Sequence, residues 1–423
     1  MTRFRFIHAA DIHLDSALRG LARYPGAPVA EIRSATRRAF DNLVTLAIEE
    51  EVAFVLLAGD LYDGDWKDYN TGLYFISRMN RLRQAGIRVF IVAGNHDAAS
   101  QITRHLRLPD NVRMFSSKSA ETAVLEDCHV AIHGQSFATR AVTDDLSKNY
   151  PAPLAGHVNI GLLHTALEGR PGHEPYAPCH ADDLRAKGYQ YWALGHVHRR
   201  EVVAEAPWIV FPGNIQGRHI RETGPRGCML VSVAEGDVET VEPRDLDVLR
   251  WARIEVDISG TDSTDEVDER LQAAMQEALD AADGRPVAAR LRLSGRCPVA
   301  RALRARRDHW IEEYRALANG LGAAGLWLEK VEFDVESPRT GTLSDASADA
   351  LAGLMQALDA IERDDAALST LLAELESLRK KLPPEWLHES DEDSPLHPDN
   401  LRSAIDDVRE LLLDRLLSAG DAS

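Results

Sequence analysis

Six short apolar runs punctuate the first 250 residues: FRFIHAA (4–10), VAFVLLAG (52–59), RVFIVAG (88–94), VNIGLLH (158–164), YWALGH (191–196) and WIVFPG (208–213). Their length and composition predict buried strands, and the stretches 34–50 and 70–85 between them repeat apolar residues at helical spacing. That mixture predicts an α/β layered fold with sheet packed at its centre. In such folds ligands gather on the loops that leave the carboxyl ends of strands. A second unit, 251–337, reads as strand (RWARIEVDI), helix (264–282), strand (VAARLRLSG), helix (299–319) and strand (LWLEKVEFDV). It is a small α+β module. SPRTGTLSD (337–345) carries the composition of a linker. Two helical segments follow, 345–381 and 398–418, separated by the Pro- and acid-rich PPEWLHESDEDSPLHPDN. The chain thus divides into 1–250, 251–337 and a helical tail, 338–423.

Composition changes this picture in two places. The net charge of -19 excludes a protein that grips nucleic acid over its whole surface. Residues 337–423 hold 8 Lys/Arg against 19 Asp/Glu, so the tail carries most of that charge and the rest is only mildly acidic. Local basic patches remain. No apolar run approaches the roughly 20 residues that span a bilayer, so no membrane association is expected. The opening MTRFRFIHAADIHLD lacks the apolar core of a signal peptide. Cys128, Cys179, Cys228 and Cys297 show no paired spacing, and a reducing cytoplasm is the expected location.

The candidate chemistry lies just beyond the strands. In order come Asp11-Ile-His13, Gly59-Asp60 continuing to Asp63, Gly94-Asn95-His96-Asp97, a lone His164, and Gly195-His196-Val197-His198. Taken singly each has an ordinary reading: a chance Asp-x-His, a turn, a helix cap on Asn95, a strand-end histidine, two loop histidines. Together they place oxygen and imidazole ligands on successive strand exits, with glycines permitting sharp turns. Imidazole, carboxylate and carboxamide suit Mn, Fe or Zn. Seven ligands (Asp11, His13, Asp60, Asn95, His164, His196, His198) exceed the needs of one four-coordinate ion, and suit two ions roughly 3.5–4 Å apart with a bridging carboxylate. His8, inside the first strand, reads as structural. HEPYAPCH (173–180) lacks a second ligand pair and reads as a surface loop.

The order D-x-H, GD, GNHD, H, GHxH resembles the calcineurin-like metallophosphoesterases, whose fold is a layered β-sandwich flanked by helices. FRFIHAADIHLD with GDLYDGD is similar to the opening of SbcD-type DNA repair exonucleases. LLHTALEGRPGHEPYAPCHADDLRAKGYQYWALGHVHRRE and FPGNIQGRHIRETGPRGC are similar to the YhaO-type branch of that group. The resemblance covers 1–235 well, is thin over 251–337, and rests on layout alone beyond 340. It implies that Asp11, His13, Asp60 and His198 hold one metal and that Asp60, Asn95, His164 and His196 hold the other. It further implies two divalent ions, with Mn2+ the first expectation, and His96 as the histidine that stabilises or protonates the leaving oxygen. Asp63 would orient His96 or line the path of DNA; a turn or cap role is its ordinary alternative. The activity implied is a DNA end-processing exonuclease with a single-strand endonuclease activity beside it. Residues 251–337 would be its cap domain, and the tail would bind an SbcC-like coiled-coil ATPase or dock on its own domain. The family also admits a homodimer.

DNA binding should leave basic residues beside the site. Arg199 and Arg200 follow His198, and Arg218, His219, Arg221 and Arg226 follow FPGN. Arg301, Arg304, Arg306 and Arg307 form a second cluster whose ordinary reading is a solvated helix face. A small-molecule phosphodiesterase or phosphatase of the same fold is the rival enzyme reading. A non-catalytic scaffold is the rival of another class, and the complete ligand set speaks against it.

Overall fold

The structure, a computed structural model, describes residues 3–16, 29–63, 69–99, 107–169, 176–321, 325–338 and 352–360, with 405 and 408. The apolar runs become the parallel centres of two six-stranded sheets. The first is built on β1 (Phe4–Ala9), β2 (Phe54–Ala58), β3 (Arg88–Val92) and β4 (Val112–Met114), all parallel. The second holds β5 (Glu121–Leu125), β6 (Val130–Gly134), β7 (Val158–His164), β8 (Tyr191–Gly195), β9 (Glu201–Glu205) and β10 (Trp208–Phe211), ordered β5-β6-β7-β8-β10-β9. Its inner four strands are parallel and both edges antiparallel. β11 (Gly227–Ala234) and β12 (Asp237–Asp245) return to the first sheet beside β1, giving β12-β11-β1-β2-β3-β4.

A period of two explains the layering, because alternate side chains of a strand face opposite ways. In the first sheet both sets are apolar. Phe6, Phe54, Leu56, Phe90 and Val92 meet Ile132, Ile160, Leu162, Tyr191 and Val210 of the second sheet in one buried cluster. Ile7, Val55, Leu57, Val89 and Ile91 face outward and are covered by α1 (Val29–Glu49) and α2 (Tyr69–Gln84), through Phe40, Leu43, Val44, Phe75, Met79 and Leu82. On the far side, Leu163, Trp192, Leu194 and Ile209 pack with Leu184 of α4 (Ala181–Ala186). The expected layered β-sandwich flanked by helices is the observed fold. A helix α3 (Asn95–Ala99) begins directly after β3.

Three more strands, β13 (Arg250–Asp257), β14 (Val287–Arg296) and β15 (Leu326–Glu336), form a separate sheet in that order. α5 (Thr264–Asp280) buries Val267, Leu271, Met275 and Leu279, and is capped by Ser263, whose hydroxyl accepts from the Glu266 amide at 3.3 Å. The single helix expected over 299–319 is two, α6 (Ala300–Ala305) and α7 (Arg307–Asn319). Arg306 interrupts it with φ −131° and ψ 46°, outside the helical region.

By compactness the chain divides into Met1–Gly295 with Arg306–Val335, and Arg296–Ala305 with Glu336–Ser423. In the second unit residues 352–360 are helical, with Leu354 and Leu358 half-buried. The remainder of the expected tail helices and their apolar stripe lies outside the described residues. No helix among the described residues is long and apolar enough to cross a membrane.

Candidate metal centre

All the motif residues sit where β1, β2, β3, β7 and β8 end, and the parallel arrangement brings those ends together. The loops that carry them are unusual. Asp11, His13, Asp15, Asp60 and His196 have φ of 50°, 44°, 61°, 51° and 101°. Non-glycine residues reach this left-handed region at a cost, and such residues persist where surrounding structure over-determines them. Here cross-loop hydrogen bonds do so: the amides of Asp11 and His13 donate to the carbonyls of Gly59 and Asp60 at 3.1 and 3.0 Å. Of the three motif glycines, only Gly59 (φ 91°) supports a sharp exit. Gly94 and Gly195 serve close approach instead: a Cβ on Gly94 would strike Asp60 and His164, and one on Gly195 the Ala58 carbonyl.

The side chains form two adjoining groups. Asp11, His13 and His198 offer ligand atoms within 4.8 Å of one another, as do Asp60, His164 and His196. Asn95 joins the second, its Oδ1 3.0 Å from His164 Nε2. A third grouping, His13, Asp60 and His96, lies between them. Buried polar atoms normally pair donor with acceptor; here the amides of His96 and His196 donate to Asp60 and Asp11, while a ring nitrogen of His164 meets other acceptors. His164 Nδ1 lies 2.9 Å from the Ala58 carbonyl, so that nitrogen carries the proton and Nε2 presents a lone pair. That lone pair faces Asp60 Oδ2 at 3.6 Å. In the other group, His198 Nδ1 faces Glu222 Oε1 at 2.6 Å and His13 Nδ1 faces Asp63 Oδ1 at 3.6 Å. The two Nε2 atoms lie 3.3 Å apart. Acceptors aimed at acceptors in a buried site are reconciled by a cation, so the residues fit divalent metals.

The electrostatics agree. Burial, then the charge of Asp60, pushes the Asp11 carboxyl well above its usual range. Burial raises Asp60 to about 6 although His96 beside it opposes the shift. Asp97 is pushed up to about 7 by burial and by Asp60, despite accepting the amides of Leu61, Tyr62 and Gly94 at 2.9–3.1 Å. Burial, then Arg218, holds His13 well below the usual histidine range. Two flanking carboxylates behave oppositely. Burial would raise Glu222, but the His198 hydrogen bond and Arg218 outweigh it and hold Glu222 well below the carboxylate range. Burial is likewise outweighed at Asp63, by His13, Arg218 and Ser16, whose Oγ donates to Oδ2 at 2.7 Å.

The structure brings Asp11, His13, Asp60, Asn95, His96, His164, His196 and His198 to one site, with Asp63 beside His96 (Nδ1–Oδ1 3.3 Å). The arginines divide. Arg199 and Arg221 are exposed, and Arg200 pairs with Asp245 at 3.3 Å. Arg218 packs inward, 3.5 Å from Glu222 and 3.9 Å from Asp63. Arg226 binds the His198 carbonyl and Asn214 Oδ1. Arg301 and Arg304 lie on α6, where Arg304 donates to Ser337 Oγ at 2.9 Å. His8 is buried across from Tyr191. In the 173–180 segment His173 lies outside the described residues, and Cys179 is buried against Thr165 rather than on the surface. Sequence reasoning missed Glu222 and gave Asp97 no role. The only signal for Glu222 was a lone acid in the basic run RHIRE.

Known proteins share this architecture. Residues 4–200 match the calcineurin-like phosphoesterase family. A relative from Bacillus subtilis (strain 168), an uncharacterized metallophosphoesterase YhaO, is 37% identical over 70% of this chain and 73% of its own length. The chain belongs to the calcineurin-like metallophosphoesterases. More narrowly, residues 251–336 match the middle domain of metallophosphoesterase YhaO, so the likeness to that type runs beyond the two-sheet core. More distant are DNA double-strand break repair proteins Mre11. The one from Sulfurisphaera tokodaii is 28% identical over 49% of this chain and 56% of its own, and that from Methanopyrus kandleri 27% over 63% and 62%. The chain therefore spans less than two thirds of the length of these two repair proteins.

Proposed function

We propose that this phosphoesterase is a two-metal phosphodiesterase that processes DNA ends. The observation that carries the reading is the convergence of two carboxylates and four imidazoles, Asp11, His13 and His198 in one group and Asp60, His164 and His196 in the other, with the ligand atoms of each group within 4.8 Å of one another. Asp11, His13, Asp60 and His198 would hold one divalent ion, and Asp60, Asn95, His164 and His196 the other, with Mn2+ the first candidate. When bound, such a pair neutralises charge on the phosphoester and makes water nucleophilic at neutral pH. The chain's own part is the proton and the substrate. His96 is partly exposed, with 29% of its side chain accessible, and turns Nδ1 to Asp63, so Nε2 is the nitrogen that would protonate the departing oxygen. Asp63, fixed by Ser16, keeps that ring in place.

DNA as substrate is supported by the likeness to Mre11 and by exposed Arg199 and Arg221 beside the histidine loop. The test is nucleotide release from a linear duplex with Mn2+ and with EDTA, alongside a simple aryl phosphodiester. Release that needs the metal is expected. Hydrolysis of the aryl ester without release from DNA would move the substrate to a small molecule. Arg199→Glu with Arg221→Glu should weaken duplex binding and lower the log–log salt slope by about one per lost phosphate contact. Binding and salt slope equal to wild type would remove these two residues from the DNA path.

A further inference from the structure

We propose that Glu222 is a positioning residue that fixes His198 in the tautomer able to hold an ion, an inference that rests on the two-metal reading above. Its carboxylate is buried, with 6% of the side chain accessible, and both oxygens are engaged. Oε1 lies 2.6 Å from His198 Nδ1, while Oε2 accepts the Arg218 amide at 2.7 Å and Asn214 Nδ2 at 2.8 Å. A carboxylate held by backbone and side-chain donors can only accept, so His198 Nδ1 carries the hydrogen and Nε2 keeps its lone pair. Arg218 Nη2 also lies 3.3 Å from Nδ1, but the 2.6 Å carboxylate contact is much the shorter and decides the tautomer. Nε2 is thereby directed to the group formed with Asp11 and His13, at 4.0 and 3.3 Å.

The loop carrying Glu222 is held in place by contacts remote from the ligands. Trp251 Nε1 donates to the Gly217 carbonyl at 3.0 Å, and the Gly224 amide donates to the Trp251 carbonyl at 3.1 Å. Gln216 donates to the Leu249 carbonyl at 2.8 Å and accepts the Val248 amide at 2.9 Å. Residues 216–224 are thus strapped to the start of β13, and Glu222 stands ready for His198 without help from an ion.

Glutamine at 222 cannot reproduce this. With its oxygen toward His198, its NH2 faces the Arg218 amide and the Asn214 NH2, both donors. With its NH2 toward His198, it favours the tautomer whose Nε2 carries the hydrogen and cannot ligate. Aspartate keeps the charge and the acceptors. The experiment is a Mn2+ titration by calorimetry of the full chain without substrate, comparing wild type, Glu222→Gln, Glu222→Asp and the exposed control Glu235→Gln, each checked for folding in EDTA. Glu222→Gln should weaken one of two ion sites by roughly 10–100-fold and leave the other, with Glu222→Asp recovering most of the loss. Unchanged affinity at both sites overturns the inference, as does an equal loss at both, which would mark a loop that merely loosens. A wild type that binds no Mn2+ overturns the two-metal reading itself and this inference with it. Because no substrate is present, the outcome does not depend on whether the enzyme acts on DNA.

Discussion

His96→Ala is expected to lower nucleotide release from duplex DNA by roughly 10²–10⁴, the usual worth of a positioned general acid. Ion affinity should stay at the wild-type level. The backbone carries the contact that matters to Asp60: the His96 amide donates to Asp60 Oδ1 at 2.9 Å, and alanine keeps it. Little packing is lost with the partly exposed ring. The size of the effect should depend on the leaving group. An alkoxide leaving from DNA needs a proton, whereas an aryl oxide leaves well without one, so the variant should lose far less on an aryl phosphodiester. The grouping of His13, Asp60 and His96 supplies the rival outcome. If His96 is a ligand instead, both substrates will suffer alike and Mn2+ affinity will fall with them.

The parts of this molecule that were legible in the sequence are those where local pattern and fold agree. Six strands buried on two faces announce themselves as apolar runs, β1, β2, β3, β7, β8 and β10, although the equally buried β6 and β11 were not read from the sequence. Edge strands do not. β12 is largely exposed, carries no apolar run and contains Pro243, as an edge strand tolerates. The ligands were legible because each is tied to a strand end, and strand ends in a layered α/β fold converge. Glu222 was not, because its place beside His198 is made by a loop returning across the fold. Arg218 looked like a surface phosphate contact for the same reason: charge is visible in sequence, but the direction of a side chain is not. The left-handed backbone at His13 and His196 had no local cue either, since histidine, unlike glycine, does not advertise it.

His8 leads to a second large effect, on stability rather than turnover. It lies fully buried between the two sheets, with Nε2 3.1 Å from the Leu194 carbonyl and Nδ1 3.0 Å from the Tyr191 hydroxyl. The carbonyl can only accept, so Nε2 bears the hydrogen and Nδ1 accepts from Tyr191, a neutral ring with both nitrogens satisfied. Burial pushes its pKa from 6.5 down to about 3. Below 6.5 the unfolded chain binds a proton that the folded chain refuses, so stability rises with pH in this window. The contribution is therefore complete above 6.5 and is lost as pH falls toward about 3. Its slope is about 1.4 kcal/mol per pH unit, and its full extent is on the order of 4–5 kcal/mol. That is a large share of the roughly 5–15 kcal/mol that holds a domain together. Carboxylates held below their usual range, such as Asp63 and Glu222, begin to lose stability only near pH 4 and below, whereas Asp60 and Asp97, raised to about 6 and about 7, take up protons in the folded chain and slope the opposite way, so the histidine contribution is read as the difference between wild type and variant. His133, which burial also lowers, and His13 contribute to it. His8→Gln supplies one donor and one acceptor and takes up no proton. In urea titrations at stepped pH the variant should lose about one proton's worth of slope between pH 6 and 4.5. A slope equal to wild type would mean that His8 gains its proton before the sheets part, and that the contact with Tyr191 opens first.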